Sequence, residues 1–592
     1  RPLAASGGLA DVAGSLPKAL CAAGEEACVV MPYYVNSFKP EQKEKMNYIT
    51  NFTVPVGWRS QYCGLFSQQV DGVTYFFIDN EFYFKRDNGL YGYYDDAERY
   101  VFFSRAVLEM LKYIQFKPQV INSNDWQCAL IPVYYDLFYR NAGGCYDNIK
   151  HVFTIHNIGY QGQYGLDLVK DIVGIPPHKV NIIEYDGDIN FMKGAIEVAD
   201  KVTTVSPTYA KEILDPWFSH GLDRILVSKQ YKTCGFLNGI DTEMYNPETD
   251  SGIAANFSAK DHKGKAACKS AIFNEFGMPE YKIPLLAMIS RFADHKGFDL
   301  VRAVFDDIIA TDMQVVILGS GESQYEEFFQ NMHWRYPDKV GFYRGFNTGL
   351  AKRIYAGADM FLMPSKSEPC GLAQMISARY GTIPIVRATG GLKDSIVDYG
   401  DNGIGFTFQS YNAHDMLGAI QRAKEAYDNR MSWGRLVTRA MKADFSWAQS
   451  AKLYIGLYKE LCGEYSGKLR LRNMLTGQCN DIKVHFIISR EPAQVDITVK
   501  NDTCGKIKAE FLTLRAFDFT GLTWKKAQCE IKGSVNIMPD AAEIDESEEA
   551  KLKEALESDF FSNENEGFEH ISHSAFVPDC RVRQGFTEHR KA

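Results

Sequence analysis

The sequence predicts an α/β protein with two doubly wound domains, followed by a β-rich extension. Two observations lead to this fold class. Short, continuous apolar runs alternate with helical patterns along most of the chain, and this alternation stops after Cys462. Continuous apolar strands separated by helices are typical of parallel sheets that are buried on both faces. Two doubly wound domains fit the length of the alternating region better than one very large sheet.

The first domain is predicted over residues 1–236. Its apolar runs are followed by turn residues and then by amphipathic stretches, of which Glu98–Lys112 is one. The runs predicted to be buried strands are Ala27–Met31, Thr74–Ile78, Val120–Ile121, Val152–Ile155 and Lys201–Val205. We therefore expect a parallel sheet in this segment.

The second domain is predicted over residues 237–462, and its last helix is expected at about Trp447–Leu461. The runs predicted to be its strands are Leu285–Ile289, Gln314–Leu318, Val340–Tyr343, Met360–Met363 and Ile383–Val386. Ligands of doubly wound folds bind outside the carboxyl ends of the strands. With two such domains, the cleft between them is the expected site.

The pattern changes over residues 463–538, where polar and apolar residues alternate as in antiparallel strands. We expect a small β-sandwich in this accessory segment. Residues 539–592 are acidic and then polar, and we expect this tail to be disordered apart from a solvated helix at Asp545–Leu556. We expect the whole extension to be dispensable for chemistry on short acceptors.

Composition excludes several classes of protein. The 592 residues carry a net charge of −9, and the stretch Asp540–Glu569 alone carries −10, so the rest is almost neutral. A near-neutral body argues against binding to nucleic acid, which needs a basic face. No apolar run reaches the ~18 residues of a membrane span, so none is predicted.

The cysteines indicate a reducing compartment. There are 13 of them, an odd number, scattered along the chain without a CxxC pair. This distribution predicts free thiols and argues against a structural zinc site. The chain begins at Arg1 and runs directly into a motif, so we expect a preceding segment, in which any targeting peptide would lie. The sequence leaves the oligomeric state open.

Charged and small residues follow the predicted strands of the second domain. Arg291 and Lys296 follow Leu285–Ile289, and an Arg–Lys pair at a strand end can hold a diphosphate. Glu368 follows Met360–Met363, where its carboxylate can accept hydrogen bonds from sugar hydroxyls. The alternative is a solvated loop, in which charged residues are common.

A pair of glycines occurs in each predicted domain. Gly7 and Gly8 precede a helix expected to begin near Ser15, and Thr389-Gly390-Gly391 follows Ile383–Val386. Glycines at a helix start let backbone N–H groups approach an anion or a sugar. Two unrelated turns are an equally good interpretation of the local sequence.

Polar residues also end two strands of the first domain. Asp125 follows Val120–Ile121, and His156 and Asn157 follow Val152–Ile155. A lone histidine or aspartate is usually structural. A functional role is favoured here because both groups follow strands at the edge where the first domain should face the cleft.

Eight motifs in a fixed order resemble the bacterial glycogen synthase and plant starch synthase family of retaining glucosyltransferases. The similarity covers about residues 3–462. The motifs are SGGLADVAGSLPKAL, NDW, TIHN, TTVSPTYAKEI, LNGIDTEMYNPETD, SRFADHKGFDL, PSKSEPCGLAQM and TGGLKD. The resemblance implies a GT-B fold, with two Rossmann-like domains that close on a cleft and a last helix that crosses back to the first domain. The first strand of the usual family N-terminus is expected to be missing.

The resemblance also implies roles for particular residues. It implies three catalytic residues. Glu368 would lie at the donor glucose, His156 near the reacting carbon and Asp125 on the acceptor side. The residues that it implies for binding the substrates are Gly7, Gly8, Asp11, Asn157, Arg291, Lys296, Cys370, Gly371, Leu372, Thr389, Gly390 and Gly391. No cofactor and no metal are implied, because fixed cations would replace a metal ion at the diphosphate.

Two positions depart from the pattern of related enzymes. Many family members have a lysine where this chain has Ala5, so one cation near the donor phosphates is missing. Related retaining enzymes often have a second glutamate eight residues after the first, and here that position is Ile376. Only Glu368 is then available, which agrees with this family.

The resemblance implies transfer of glucose from ADP-glucose to the non-reducing end of an α-1,4-glucan, with retention, in the cytoplasm or in a plastid after removal of a transit peptide. Two alternatives stay open: a degenerate, non-catalytic glucan-binding homologue, and an enzyme that prefers UDP-glucose. A dinucleotide oxidoreductase ranks far lower, because no GxGxxG follows a predicted strand.

Overall fold

The computed structural model describes residues 7–473, 479–487, 494–500, 507–511, 517–525, 530–537 and 570–575. The chain divides into two compact units, Arg1–Tyr454 and Ile455–Ala592. Most of the predicted tail over 539–592 lies outside the described residues, and the structure describes one strand within it.

The helices alternate with strands throughout the first unit. The helices are α1 Gly7–Ala22, α2 Pro40–Lys43, α3 Glu81–Phe84, α4 Asp96–Glu109, α5 Leu130–Tyr134, α6 Phe191–Val198, α7 Pro207–Glu212, α8 Asp223–Ser228, α9 Lys263–Phe276, α10 Phe298–Ala303, α11 Phe305–Ala310, α12 Ser323–Arg335, α13 Thr348–Gly357, α14 Ala373–Arg379, α15 Gly390–Ser395, α16 Ala413–Asp428, α17 Arg430–Lys442 and α18 Trp447–Leu461. The strands are β1 Cys28–Pro32, β2 Asn47–Val56, β3 Arg59–Val70, β4 Val73–Asp79, β5 Val120–Asn124, β6 Lys150–Ile155, β7 Gln163–Tyr164, β8 Glu184–Tyr185, β9 Asp188–Asn190, β10 Lys201–Thr204, β11 Thr233–Gly235, β12 Leu285–Ile289, β13 Gln314–Gly319, β14 Val340–Arg344, β15 Met360–Met363, β16 Ile383–Arg387, β17 Phe406–Phe408, β18 Glu464–Asn473, β19 Cys479–Ile487, β20 Gln494–Lys500, β21 Ile507–Phe511, β22 Phe517–Lys525, β23 Glu530–Ile537 and β24 His570–Ala575.

The first half of the chain contains the predicted parallel sheet, in the order β11-β10-β6-β5. All three pairings in it are parallel, so the carboxyl ends of β5 and β6 lie at the same edge. Buried apolar residues fill its central strands, among them Phe153 and Val202, which are both fully buried. This sheet places the segments after Asn124 and Ile155 side by side.

A second sheet in the first half departs from the prediction. Its order is β1-β4-β3-β2, and only β1 and β4 are parallel, because β2 and β3 form an antiparallel hairpin. In β2 the buried residues Phe52, Val54 and Val56 alternate with more exposed ones. The expectation of a single parallel sheet is wrong here, since alternating polar residues leave no continuous apolar run to mark these strands.

The second half of the first unit contains a six-stranded sheet in the order β14-β13-β12-β15-β16-β17. Every pairing is parallel, as predicted. The five predicted runs are all strands, and β17 was missed because it has only three residues. The neighbours β12 and β15 bring the segments after Ile289 and Met363 together at one edge.

Helix α1 begins at Gly7 and not near Ser15, as the glycine pair had suggested. The apolar residues Val12, Leu16 and Leu20 are buried at helical spacing. This stripe extends the helix towards the N-terminus, since one buried face stabilises all of the turns that contribute to it. Gly7 and Gly8 therefore lie in the first turn of the helix.

The chain crosses between the two halves of the first unit twice at the same place. Ile240 forms a parallel bridge with Ser446, and its N–H donates to the carbonyl of Phe445 at 2.8 Å. A side-chain carbon at Gly239 would lie 2.5 Å from the N of Trp447, so only glycine permits this close approach.

The start of α18 returns to the first sheet, as the resemblance implied. The ring of Tyr454 packs edge-on against Phe236 at 5.0 Å between centroids, and Ser450 donates to the carbonyl of Leu237 at 2.5 Å. The domain limits at 236 and 462 stay predictions.

The second unit contains antiparallel strands, as the alternating pattern predicted. One sheet has the order β19-β18-β21, and another has the order β20-β23-β22-β24. The strand of the predicted tail, β24, pairs with β22. The β-sandwich stays a prediction.

Candidate active site

An ion pair lies at the carboxyl edge of the second half's sheet. Lys296, after β12, places its Nζ 2.7 Å from Oε2 of Glu368, after β15. The hydroxyl of Ser365 donates to the same oxygen at 3.0 Å. Glu368 is only 7% exposed, so these two contacts compensate for the loss of its contacts with water. The structure thus brings together two of the residues that the sequence singled out.

Backbone contacts fix the two loops that carry this pair. The N–H of Lys366 donates to the carbonyl of His295 at 2.9 Å. Gly297 has a φ of 77°, and a side-chain carbon there would lie 2.1 Å from the carbonyl oxygen of Pro364. Any larger residue at Gly297 would separate the loops, so this glycine positions Lys296 against Glu368.

Arg291 lies at the same edge but remains exposed. Among the side chains that the structure describes, no carboxylate forms an ion pair with it, whereas Lys296 is paired. Burial, together with the positive charges of Lys296 and Arg291, lowers the pKa of the intervening His295. The loop therefore carries a free guanidinium beside a neutral histidine, a combination that suits an incoming anion.

The loop after Glu368 is held from inside. Gln374, which is fully buried, donates through Nε2 to the carbonyls of Cys370 at 3.1 Å and Gly371 at 2.9 Å. Gly371 has a φ of 70°, and Leu372 is half-buried at the start of α14. Sequence reasoning missed Gln374, although it lies within the quoted motif.

Cys370 is buried and unreactive. Burial raises the pKa of its thiol to about 12, against a small opposing effect of a hydrogen bond from the backbone of Asn238. A thiol with this pKa is not a nucleophile at neutral pH. Cys370 therefore acts through its packing and its backbone.

The second glycine pair packs directly on the Glu368 loop. The N–H of Gly391 donates to the carbonyl of Glu368 at 3.0 Å. Side-chain carbons at Gly390 and Gly391 would lie 2.0 Å from the carbonyl oxygen of Glu368 and 2.2 Å from that of Cys370. Both glycines are required for this approach of one backbone to another.

A carboxylate from the first half of the chain reaches the same place. Glu212, at the end of α7, accepts hydrogen bonds from the Thr389 hydroxyl at 2.9 Å and from the Gly390 N–H at 3.0 Å. Thr389 is almost fully buried. Nothing in the sequence reasoning had given Glu212 a role, although it lies within the quoted TTVSPTYAKEI motif.

The first half of the chain contributes a polar group at the edge of β5 and β6. Oδ1 of Asp125 accepts from the N–H of His156 at 2.8 Å, and Nε2 of His156 lies 2.9 Å from Oδ1 of Asn124. Asp125 has a φ of 55° and a ψ of −179°. That conformation is normally restricted to glycine, so the surrounding contacts hold Asp125 in a strained state.

Burial shifts the pKa values of both residues towards their neutral forms. It lowers the pKa of His156, while the charge of Asp125 opposes the shift. It raises the pKa of Asp125, opposed by His156 and by hydrogen bonds from the backbone of His156 and Asn157. His156 is therefore neutral at pH 7.

Helix α7 connects the two groups. The hydroxyl of its buried Tyr209 accepts from the N–H of Ile158 at 3.1 Å, directly after the His156–Asn157 loop. Glu212, three residues further along the helix, contacts Thr389 and Gly390. The histidine loop and the glutamate loop thus belong to one contiguous set of contacts.

The first glycine pair lies in a different environment. Gly8 is exposed at the start of α1, and a side-chain carbon there would meet nothing within 4 Å. Packing therefore does not explain this glycine. Asp11 is half-buried one turn further along the helix.

The chain is similar to one group of known proteins by family, by sequence and by structure. The model of the starch synthase catalytic domain matches residues 1–228, and that of glycosyl transferases group 1 matches residues 272–437. Glycogen synthases of Geobacillus thermodenitrificans (strain NG80-2) and Geobacillus stearothermophilus are each 47% identical over 466 residues, which are 78% of this chain and 96% of those proteins. The catalytic domain of starch synthase IV from Arabidopsis thaliana, solved with ADP and acarbose, is 34% identical, with a TM-score of 0.71 over 78% of this chain and 97% of that one.

The chain belongs to the glycogen and starch synthase family. It is a glycosyltransferase with the GT-B fold, which confirms the fold class and the enzyme class that the resemblance implied. The two parallel sheets are those of its two Rossmann-like domains, and the ion pair and the histidine group lie at their carboxyl edges.

The described residues contain no group of three or more His, Cys, Asp or Glu side chains placed to hold a metal ion. Within the same residues, no helix is both long and apolar enough to cross a membrane.

Proposed function

We propose that this synthase transfers glucose from ADP-glucose to the non-reducing end of an α-1,4-glucan, with retention of configuration. The observation that carries the proposal is the Lys296–Glu368 ion pair beside the unpaired Arg291. A nucleoside diphosphate sugar has one end that needs cations and another that needs hydrogen-bond acceptors. The edge of the second sheet offers both.

The choice of an adenine nucleotide is supported by the solved relative. The starch synthase IV structure holds ADP, and this chain is 34% identical to it over almost its whole length. Acarbose in the same structure supports a glucan as the acceptor. Both ligands come to this chain through relatedness alone, so rates with two donors are the decisive measurement.

In the proposed reaction, the bond between the anomeric carbon and the diphosphate breaks through an oxocarbenium-like state. Negative charge then builds on the leaving diphosphate, where Arg291 and Lys296 stabilise it. Glu368 receives hydrogen bonds from the donor glucose. Removing Lys296 from Glu368 when the diphosphate binds would also leave that carboxylate available to the sugar hydroxyls.

The first domain supplies His156 and Asp125 to the proposed reaction. His156 is neutral, so it can orient the glucose without repelling the positive charge that develops on its anomeric carbon. Asp125 fixes the backbone of His156, and in the proposal it faces the acceptor. Transfer instead of hydrolysis requires water to be excluded, which closure of the two domains supplies.

The test is to measure initial rates with ADP-glucose and with UDP-glucose, using glycogen and a short maltooligosaccharide as acceptors. We expect nucleotide release to be at least 10-fold faster with ADP-glucose than with UDP-glucose, since one discriminating contact changes a rate by about that factor. NMR of the first product should show the α configuration.

Two other outcomes would replace the proposal. Faster turnover of UDP-glucose would assign the other nucleotide. No release from either donor, with glycogen still bound, would identify a degenerate glucan-binding homologue.

A further inference from the structure

We infer that Glu212 and Asp394 are positioning residues, which lock α7 of the first domain to α15 of the second and thereby place the Glu368 loop for transfer. The inference rests on the proposed function for its kinetic part. In the proposed reaction, neither carboxylate contacts the reacting atoms. In this contact, each of them accepts hydrogen bonds only from the other domain.

The two contacts are reciprocal. At one end, Glu212 accepts from Gly390 N–H at 3.0 and 3.1 Å, through its two oxygens, and from the Thr389 hydroxyl at 2.9 Å. At the other end, Asp394 accepts from the N–H of Thr208 at 2.7 Å and from its hydroxyl at 2.6 Å.

Each helix therefore has its first turn capped by a carboxylate from the last turn of the other. A short helix leaves its first N–H groups without partners, and a side-chain oxygen normally satisfies them from within the same chain segment. Ser206 does so for α7, by accepting from Tyr209 N–H at 3.1 Å. For Gly390 and Thr208, the acceptor instead comes from a residue more than 170 positions away in sequence.

The contact leads directly to the candidate catalytic groups. Gly390 is followed by Gly391, whose N–H donates to the carbonyl of Glu368 at 3.0 Å. On the other side, Tyr209 of α7 holds the backbone that follows His156. A shift of α7 relative to α15 would therefore move Glu368 relative to His156, and misplacement by about 1 Å can cost ~10²-fold in rate.

Charge-assisted hydrogen bonds suit this task. A carboxylate that accepts from backbone N–H and hydroxyl groups binds more strongly than a neutral acceptor, yet its contacts break without leaving a deeply buried charge. Glu212 and Asp394 are both half-buried. They can thus form the closed arrangement and release it in each cycle.

The first experiment compares Glu212→Gln and Asp394→Asn with the full-length enzyme, using Glu425→Gln on the exposed face of α16 as the control. The amides keep the shape and one acceptor oxygen, so the fold is retained. We expect kcat to fall about 10- to 100-fold with the KM for ADP-glucose changed less than 3-fold, and donor hydrolysis to rise relative to transfer. The double variant should lose less than the product of the two single losses.

Three kinetic results would overturn the inference. One is an unchanged kcat and transfer ratio in both variants while the wild type is active. Another is a fall in the donor KM of Glu212→Gln without loss of kcat, which would mean that Glu212 competes with the donor phosphates. The third is a loss that the Glu425→Gln control shares.

The second experiment needs no donor, so it distinguishes failure of the inference from failure of the proposed function. Amide hydrogen exchange is measured on the peptides that contain Thr208 and Gly390. Glu212→Gln should accelerate exchange in the Gly390 peptide, and Asp394→Asn should accelerate it in the Thr208 peptide of the other domain. Exchange that is unchanged across the domains would overturn the lock, even if ADP-glucose is not the donor.

Discussion

The two halves of the candidate site differ in formal charge and in how that charge is held. In the first domain, a neutral His156 lies beside the carboxylate of Asp125, which accepts from backbone N–H groups. In the second domain, Lys296 is paired with Glu368, and Arg291 lies on the same loop as Lys296, unpaired among the described side chains. Among these residues, the first half thus has one acidic group and no cation, and the second has two cations and one acidic group. That difference matches a reaction in which a cationic carbon separates from an anionic leaving group.

Removing a cation from the positive half should have the largest effect. Arg291→Ala and Lys296→Ala should each lower kcat by about 10²–10³-fold, because a contact that forms mainly with the leaving diphosphate is lost. Arg291→Ala should leave the melting temperature unchanged, since Arg291 is exposed. Steady-state kinetics and a thermal melt would check both, with Lys282→Ala as the matched control, because Lys282 is an exposed lysine of the same domain. Near-normal turnover in the two variants would show that the diphosphate binds elsewhere.

The carboxylate of the same half provides the next prediction. Glu368→Gln keeps the size of the side chain but loses the anion, and we expect kcat to fall more than 10-fold, about the value of one charge-assisted contact. Cys370→Ser should change kcat much less, because the Cys370 thiol is buried and protonated. Single-turnover assays on both variants would compare them. An active Glu368→Gln enzyme beside an inactive Cys370→Ser one would reverse these roles.

The negative half can be tested through its strained backbone. Asp125→Gly removes the carboxylate and places glycine in a conformation that costs other residues about 1–3 kcal/mol. We expect kcat to fall while the free energy of unfolding stays constant or rises, despite the lost hydrogen bonds to His156 and Asn157. Urea denaturation with activity measured in parallel would show it. Asp125→Asn is the control, because it keeps the strain and one acceptor oxygen.

The last prediction concerns stability in acid and His151, a second buried histidine of the same half. Burial lowers the pKa of His151, at the start of β6, to about 3, and neither of its ring nitrogens has a hydrogen-bond partner among the described residues. Below pH ~6.5 the unfolded chain binds a proton that the folded protein excludes, so stability falls towards acid pH by at most about 1.4 kcal/mol per unit.

His151→Phe should flatten this dependence between pH 6.5 and about 3, because Phe can occupy the space against Tyr135 without titrating. Thermal melts across that range would measure the change. A slope equal to that of the wild type would mean that other groups cause the loss of stability in acid.

The sequence predicted the parallel strands well, because a strand buried on both faces has a continuous apolar run. It missed β2 and β3. In β2 the buried residues Phe52, Val54 and Val56 alternate with more exposed ones, so no continuous apolar run marks the strand. It also placed the start of α1 too late. The glycine pair was interpreted as a turn, because the apolar stripe Val12, Leu16 and Leu20 that follows it was not taken into account.

For the candidate site, strand ends were the useful signal. Lys296 and Glu368 both follow parallel strands, and neighbouring strands bring them together. Glu212 could not be found in this way, since its partner is a distant backbone group that only the tertiary structure defines. Gln374 was missed although its partners lie three and four residues away, because it follows the loop and not the end of a strand. Long-range contacts of a side chain with backbone have no local pattern in sequence.

The paired crossings at Ile240 and Phe445 have a topological consequence for how the synthase can be cut. The two connecting segments run side by side, and a backbone hydrogen bond joins them. A break in the first crossing leaves α18 covalently joined to the second domain and packed on the first domain through Tyr454 and Ser450. The polypeptide could therefore be split at residues 237–240 into two separately made fragments, and these would reassemble through the remaining crossing and the start of α18.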